Sequence, residues 1–321
     1  MMTPSVPIDR RTSLLWGARA VAALCALRSD VLADTSTRQE PAGPSPAPVS
    51  RVTTVGGVRL HYLEWGAGAG DRRPALVLLH PGMLNARIWE RFGNAMAPFF
   101  RVIAPDARGH GESEWKAPYE TDTFLGYLHG LLSGLGLRDL TLCGNSMGGT
   151  LAIAYAAAHP DLVRRLISVD TGAAPPPPPG STAAPPPLPP PLPRGPFDDP
   201  RDAADRIAPV LGRGFIDAML TTNLARAADG RWHWRHDDVG MSAALPRAMA
   251  DPGRWTRWQS VTCPTLLVRG ERSVALSAES ARRMVEARPN ATLQVVRDAG
   301  HFVELDQPEA FERAVRAWLG R

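Results

Sequence analysis

Lysine is almost missing from this chain. Of 321 residues one is a lysine, Lys116, and arginine supplies the other 35 of the 36 basic residues. The arginines are scattered, and the formal net charge is only +4. A nucleic-acid-binding surface needs its basic side chains gathered into a stripe or patch, so no nucleic-acid partner is expected. Cysteine is scarce as well. Cys25, Cys143 and Cys263 make an odd count, with no Cys-x-x-Cys pair and no Cys/His cluster. That excludes a disulfide framework and a structural zinc site, and no metal is expected. Cys143 and Cys263 fall in or beside apolar strands and read as small buried hydrophobes. No apolar run reaches the roughly 20 uninterrupted residues of a spanning helix, so no stable membrane insertion is expected. What is present is enough hydrophobic sequence, 44%, to bury a sizeable core in one large α/β domain or two modest ones.

Residues 1–50 stand apart from that core. Arg10 and Arg11 precede an apolar stretch, and Val31-Leu32-Ala33 follows it, the order of a twin-arginine export signal. Arg19 interrupts the stretch, and Asp9 stands where serine or threonine is usual. Two localisations follow: cytoplasmic, or exported if that segment is functional. Residues 41–49, PAGPSPAPV, read as a linker.

From residue 51 the pattern turns regular. VTTV and VRLHYLEW flank Gly56-Gly57 and predict a hairpin. GAGAG at 66–70 lacks the third glycine of a dinucleotide fingerprint and does not open a helix, so it reads as a turn. ALVLL is a continuous apolar run, as a parallel strand covered on both faces requires. A helix to about Ala97 follows, then strand RVIAPD, a helix over about 121–136, strand LTLCG, a helix from Ser146 to about Ala158 and strand RRLISVD. Alternating strands and helices imply a parallel sheet. Residues 173–196, dominated by proline, break the rhythm and cannot pair in a sheet. Residues 197–259 show helical periodicity and carry Trp232, Trp234, Trp255 and Trp258. Strand PTLLVRG, a helix over 278–288, strand TLQVVRD and a helix from about Pro308 to Leu319 complete the chain.

Four motifs carry chemistry. Gly144, Ser146 and Gly148 fit the nucleophile elbow G-x-S-x-G at a strand-to-helix corner. The turn strains the serine and projects its hydroxyl, and the glycines remove side chains that would clash. The helix that follows aims backbone N–H groups at developing negative charge, Met147 supplying one. In LLHPGMLNARIW, a His-Gly-x-like turn after the third strand, Gly82 is placed to give the second oxyanion N–H; a one-residue shift would make it Met83. Pro81 has no N–H to give. DARGHGES reads as a structural turn with Asp106 paired to Arg108 and His110 outside the chemistry. In RDAGHFVEL, His301 follows the last strand, where a general base for Ser146 belongs.

With these motifs the stretch 51–321 resembles a capped α/β-hydrolase. The resemblance implies an α/β fold: a mostly parallel eight-stranded sheet, helices on both faces, and a helical cap inserted after strand 6. The core would be 51–172 and 260–321, with the proline-rich segment and cap at 173–259. It also implies a Ser-His-acid triad, an acyl-enzyme and no cofactor. The acid is the departure. Its usual place after the seventh strand reads RGERSVALSAES, where Ser273 and Val274 stand at the expected positions. Asp170, at the tip of the sixth strand, and Glu271 are the substitutes, and a protein with no working acid is the third reading. Asp298 and Glu304 lie near His301 in sequence but point away along strand and loop.

The leading reading is a serine hydrolase of a small carboxylic ester or lactone, with a small-molecule ester-like substrate under the insert. Cofactor-free perhydrolysis, carbon–carbon bond hydrolysis and a catalytically weak ligand-binding role are the alternatives. Oligomeric state is not legible. Residues 1–48 lack the composition to pack. Deleting them should leave the melting temperature nearly unchanged, and a large fall in a thermal scan would show that they dock on the core.

Overall fold

The computed structural model describes residues 47–66, 72–173, 194–207, 213–249 and 251–321. The twin-arginine-like segment, most of the proline run and most of GAGAG lie outside those residues. Strands β1 (Val49–Val55) and β2 (Val58–Trp65) form the expected antiparallel hairpin about Gly56-Gly57. Then come β3 (Ala75–Leu79), a 3-10 turn (Ala86–Trp89) running into α1 (Glu90–Met96), β4 (Arg101–Pro105), α2 (Thr121–Gly134), β5 (Leu140–Asn145), α3 (Met147–Ala158) and β6 (Val163–Val169). The insert holds α4 (Pro200–Ile207), α5 (Arg213–Ala218), a π-turn (Met219–Asn223), the short strands β7 (Leu224–Arg226) and β8 (Trp232–Trp234), and α6 (Asp238–Met249). Then α7 (Gly253–Ser260), β9 (Thr265–Gly270), α8 (Ala278–Glu286), β10 (Ala291–Val296), α9 (Val303–Asp306) and α10 (Pro308–Leu319) follow.

Eight strands form one sheet in the order β1-β2-β4-β3-β5-β6-β9-β10, antiparallel at β1/β2 and β2/β4 and parallel beyond. Every residue of β3, β5 and β9 is buried, as in strands covered on both faces, and β3 is apolar throughout. Cys143 and Cys263 are free and buried. No helix among the described residues is long and apolar enough to cross a membrane.

The insert departs from the sequence expectation in one place. Trp232 and Trp234 do not lie on a helix. They form β8, paired antiparallel with β7. Trp258, on α7, is fully buried, and α7 packs on α3. Its indole N–H donates to the Met284 carbonyl at 2.8 Å, and the Arg288 guanidinium lies over its ring.

The turn DARGHGES is also wired differently. Asp106 does not pair with Arg108. Its carboxylate accepts from His61 Nδ1 at 2.7 Å and from the Ala86 and Glu112 N–H groups at 2.7 and 2.8 Å. Arg108 instead donates to the Ala117 carbonyl and covers the Tyr127 ring. The physical reason is reach. β2 and β4 are neighbours, so His61 and Asp106 meet across the sheet, while Arg108 points along the loop.

This turn is where the insert sits down. Residues 235–237 run beside 109–111: Gly111 N–H donates to Arg235 O at 2.6 Å, and Asp237 N–H to Gly109 O at 2.9 Å. The rings of His80 and His110 lie 5.0 Å apart, and those of His110 and His236 6.0 Å. All three are buried. Burial lowers each pKa, helped for His110 by the two neighbouring rings, and takes His236 down to about 4. An unfolded histidine titrates near 6.5. As pH falls from 6.5 through 4 the unfolded chain takes up protons that the folded one refuses, so stability present above 6.5 is lost. His236 alone accounts for roughly 3 kcal/mol of that loss. Melting temperature measured from pH 7 to 4 should therefore fall steeply. His236→Gln should flatten the slope, whatever its effect at pH 7.

Candidate active site

Ser146 sits between β5 and α3 with φ 54° and ψ −115°. For a residue with a side chain this backbone is strained, at a cost on the order of 1–3 kcal/mol, and it persists only where the surroundings hold it. The holding is visible. Ser146 N–H donates to the Val169 carbonyl of β6 at 3.3 Å, and its own carbonyl accepts from Thr150 N–H at 2.9 Å and Thr171 Oγ1 at 3.2 Å. The elbow glycines are needed for space. A Cβ on Gly144 would strike the Gly148 carbonyl, and one on Gly148 would strike the Leu79 carbonyl.

His301 follows β10 and precedes α9, as the sequence placed it, with 19% of its side chain exposed. Its Nδ1 lies 2.8 Å from Asp170 Oδ2. Asp170 stands just beyond the end of β6, its side chain fully buried, with a φ of 45° that turns it out of the strand. Two more donors reach the carboxylate: Gly270 N–H at 3.1 Å to Oδ1, and Ser273 Oγ to Oδ2. The Ser273 oxygen itself accepts from Ala275 and Leu276 N–H at 3.1 and 3.2 Å. With both lone pairs taken, its hydroxyl hydrogen points at Asp170. The serine that stands where a carboxylate was expected thus supports the carboxylate next door.

Glu271 is not beside the imidazole. It lies at the surface, where its Oε2 accepts from Asp298 N–H at 3.1 Å. Asp298 pairs with Arg272. Val274 is 93% exposed, so a carboxylate at that position would face solvent. Glu304 is buried, and among the described residues its carboxyl oxygens find no partner. Burial, with Asp306 and Asp170 adding to it, pushes its pKa up to about 8, so it is neutral at pH 7.

Sequence reasoning missed Asn145. It is fully buried, and its Nδ2 donates to Val169 O at 3.0 Å and to the backbone carbonyl of His301 at 2.9 Å. The residue before Ser146 thus ties the loop bearing His301 to the elbow. Position x in G-x-S-x-G gives no hint of this.

Opposite the serine, His80 fixes the Pro81–Gly82 peptide. Its Nδ1 donates to Pro81 O at 2.7 Å, and its Nε2 accepts from Ala107 N–H at 2.9 Å. A trans peptide sets N–H opposite C=O, so the Gly82 N–H faces away from His80. A Cβ on Gly82 would meet the Met147 side chain at 3.8 Å, so the two residues adjoin. Met147 opens α3, where N–H groups have no intrahelical partner. Met83 N–H is committed instead to His110 Nε2 at 3.4 Å. Among the described residues no group of three or more His, Cys, Asp or Glu side chains could hold a metal. The arrangement can pass a proton from a hydroxyl to an imidazole whose far nitrogen is held by a carboxylate. It can also offer two backbone N–H groups to an anion.

Comparison with known proteins places the chain in a family. The profile described as the alpha/beta hydrolase family matches residues 76–314. The sn-1-specific diacylglycerol lipase ABHD11 of Mus musculus is 30% identical over 253 residues, covering 77% of this chain and 81% of the relative. Lipase LipV of Mycobacterium tuberculosis is 30% identical over 269 residues, 82% of this chain and 98% of the relative. The crystal structure of E-2-(acetamidomethylene)succinate hydrolase superposes with a TM-score of 0.70 at 23% identity, covering 85% of this chain and all of that one; that likeness speaks for the fold. On profile, relatives and sheet topology together, the chain belongs to the alpha/beta hydrolase family and is a hydrolase.

Proposed function

We propose that this hydrolase cleaves a small carboxylic ester or lactone through an acyl-enzyme. The observation that carries the reading is the 2.8 Å bond from His301 to a buried Asp170, beside a serine in elbow geometry. With Nδ1 occupied by Asp170, Nε2 is the nitrogen left to exchange a proton with Ser146. In the first step Ser146 Oγ bonds to the substrate carbonyl carbon and His301 takes the hydroxyl proton. The carbonyl oxygen becomes an anion between the Gly82 and Met147 N–H groups. Collapse expels the alcohol, which receives that proton from His301. Water then repeats the sequence on the acyl-enzyme and releases the acid. Asp170 holds the tautomer and stabilises the imidazolium that forms.

The similarity to two proteins named as lipases supports an ester substrate. A weak binding role drew its support from a missing acid, and the Asp170 carboxylate at His301 Nδ1 supports the enzymatic reading instead.

The first test is Ser146→Ala. It should abolish both turnover of short p-nitrophenyl esters and labelling by a fluorophosphonate, with the melting temperature retained. Turnover that persists would overturn the reading. A second test separates the acids. Asp170→Asn should cut kcat by about 10⁴-fold, the cost of holding the wrong tautomer in a serine triad. Glu271→Gln should leave kcat unchanged. A large loss in Glu271→Gln with a small one in Asp170→Asn would move the role to Glu271.

A further inference from the structure

The oxyanion loop is gripped from two sides, and one grip comes from the insert. Met83, next to Gly82, has φ 69°, a left-handed backbone unfavourable for a residue with a side chain. Both of its backbone groups are tied. Its N–H donates to His110 Nε2 in the DARGHGES turn at 3.4 Å. Its carbonyl accepts from the side-chain amide of Asn223, the last residue of the insert's π-turn. Asn223 is fully buried.

The amide orientation is set by chemistry. Only its nitrogen can face a carbonyl oxygen, and the same nitrogen lies 3.0 Å from His236 Nδ1, which must therefore accept. On the core side Asn85 reaches back, its Nδ2 donating to Thr222 O at 2.8 Å and to Asn223 Oδ1 at 3.4 Å. The backbone carbonyl of Asn223 accepts from Arg235 N–H at 2.9 Å, which anchors the backbone from which the amide projects to the 235–237 segment. The side-chain amide of Asn223 thus joins the insert to the loop that carries the Gly82 N–H, through Met83 O and Asn85 Nδ2, while its other contacts hold it within the insert.

We propose that Asn223 is a positioning residue for the oxyanion hole. The insert does more than cover the substrate: through this amide it fixes the left-handed turn at Met83 and with it the aim of the neighbouring Gly82 N–H. The inference rests on the assignment of Gly82 and Met147 as oxyanion donors. It predicts that weakening the clamp penalises tetrahedral states and spares ground-state binding.

The test uses the full chain with Asn223→Asp, which keeps shape but replaces both donated hydrogen bonds with acceptors facing acceptors. Asn223→Ala is run beside it, in case the aspartate variant does not fold. Rates are expressed per Ser146 labelled by a fluorophosphonate at completion, so that a misfolded fraction does not count. We expect kcat for a p-nitrophenyl ester to fall about 10-fold or more, part of the 10²–10³-fold that loss of a whole oxyanion donor costs. KM should stay unchanged. The inhibition constant of an alkyl boronic acid, which forms a tetrahedral adduct on serine, should rise in parallel with the loss in kcat. Loss of stability alone would lower the labelled fraction and leave kcat per labelled site and boronate affinity intact, and that result would overturn the proposal. So would a loss confined to KM. A wild-type protein that forms neither adduct would instead overturn the serine-hydrolase reading, so the two failures are distinguishable.

Discussion

The site depends on where one buried carboxylate points. Asp170 leaves β6 in a left-handed conformation, and three donors from two parts of the chain converge on it: His301 after β10, and Gly270 and Ser273 at the end of β9. A buried carboxylate left without partners would carry a heavy desolvation penalty. Because all three donors are present, the same group can be fully buried and still hold the imidazole. β9 serves as the template. It pairs with β6 on one side and β10 on the other, so the ends of all three strands meet at this carboxylate.

Around that anchor the pieces are held by bonds between neighbours and not by long-range fit. Asn145 ties the His301 loop to the elbow, Thr171 ties the residue after the acid to the Ser146 carbonyl, and His80 pins the peptide that carries the Gly82 N–H. Three neutral histidines, packed ring against ring where the insert meets the core, serve the same purpose. Neutrality lets the His80 and His110 rings both donate to and accept from backbone groups and lets His236 accept from the Asn223 amide, which a charged ring, with donors only, could not do.

The elbow, His301 and the strand rhythm were legible because each is a local pattern: glycines flanking a serine, a histidine after a strand, apolar runs at regular spacing. The choice between Asp170 and Glu271 was not. Which of the two stands at His301 depends on Gly270 and Ser273, about a hundred residues from Asp170 in sequence, whose donors hold the Asp170 carboxylate, while Glu271 lies at the surface against Asp298. The pairing of Asp106 with His61 escaped for the same reason, since it is made across two strands. The β7–β8 hairpin was missed although a local signal existed. Asp229-Gly230 ahead of the alternating Trp232-His233-Trp234 is turn chemistry followed by a strand pattern. Helical periodicity summed over the whole insert masked it.

The position of Asp170 also bears on how such a protein could diversify. In a core with an inserted cap, the ends of the insert are the natural seams at which one cap is exchanged for another. Here the upstream seam begins at the carboxylate itself: Asp170 is followed at once by Thr171, which braces the nucleophile's carbonyl, and by Gly172, whose carbonyl accepts from Arg254 on α7. A recombination point placed at the strand end would replace the residue whose carboxylate holds His301 Nδ1. An insert exchanged without disturbing these contacts has to join the core downstream of residue 172, so the first residues of the excursion belong structurally with the sheet.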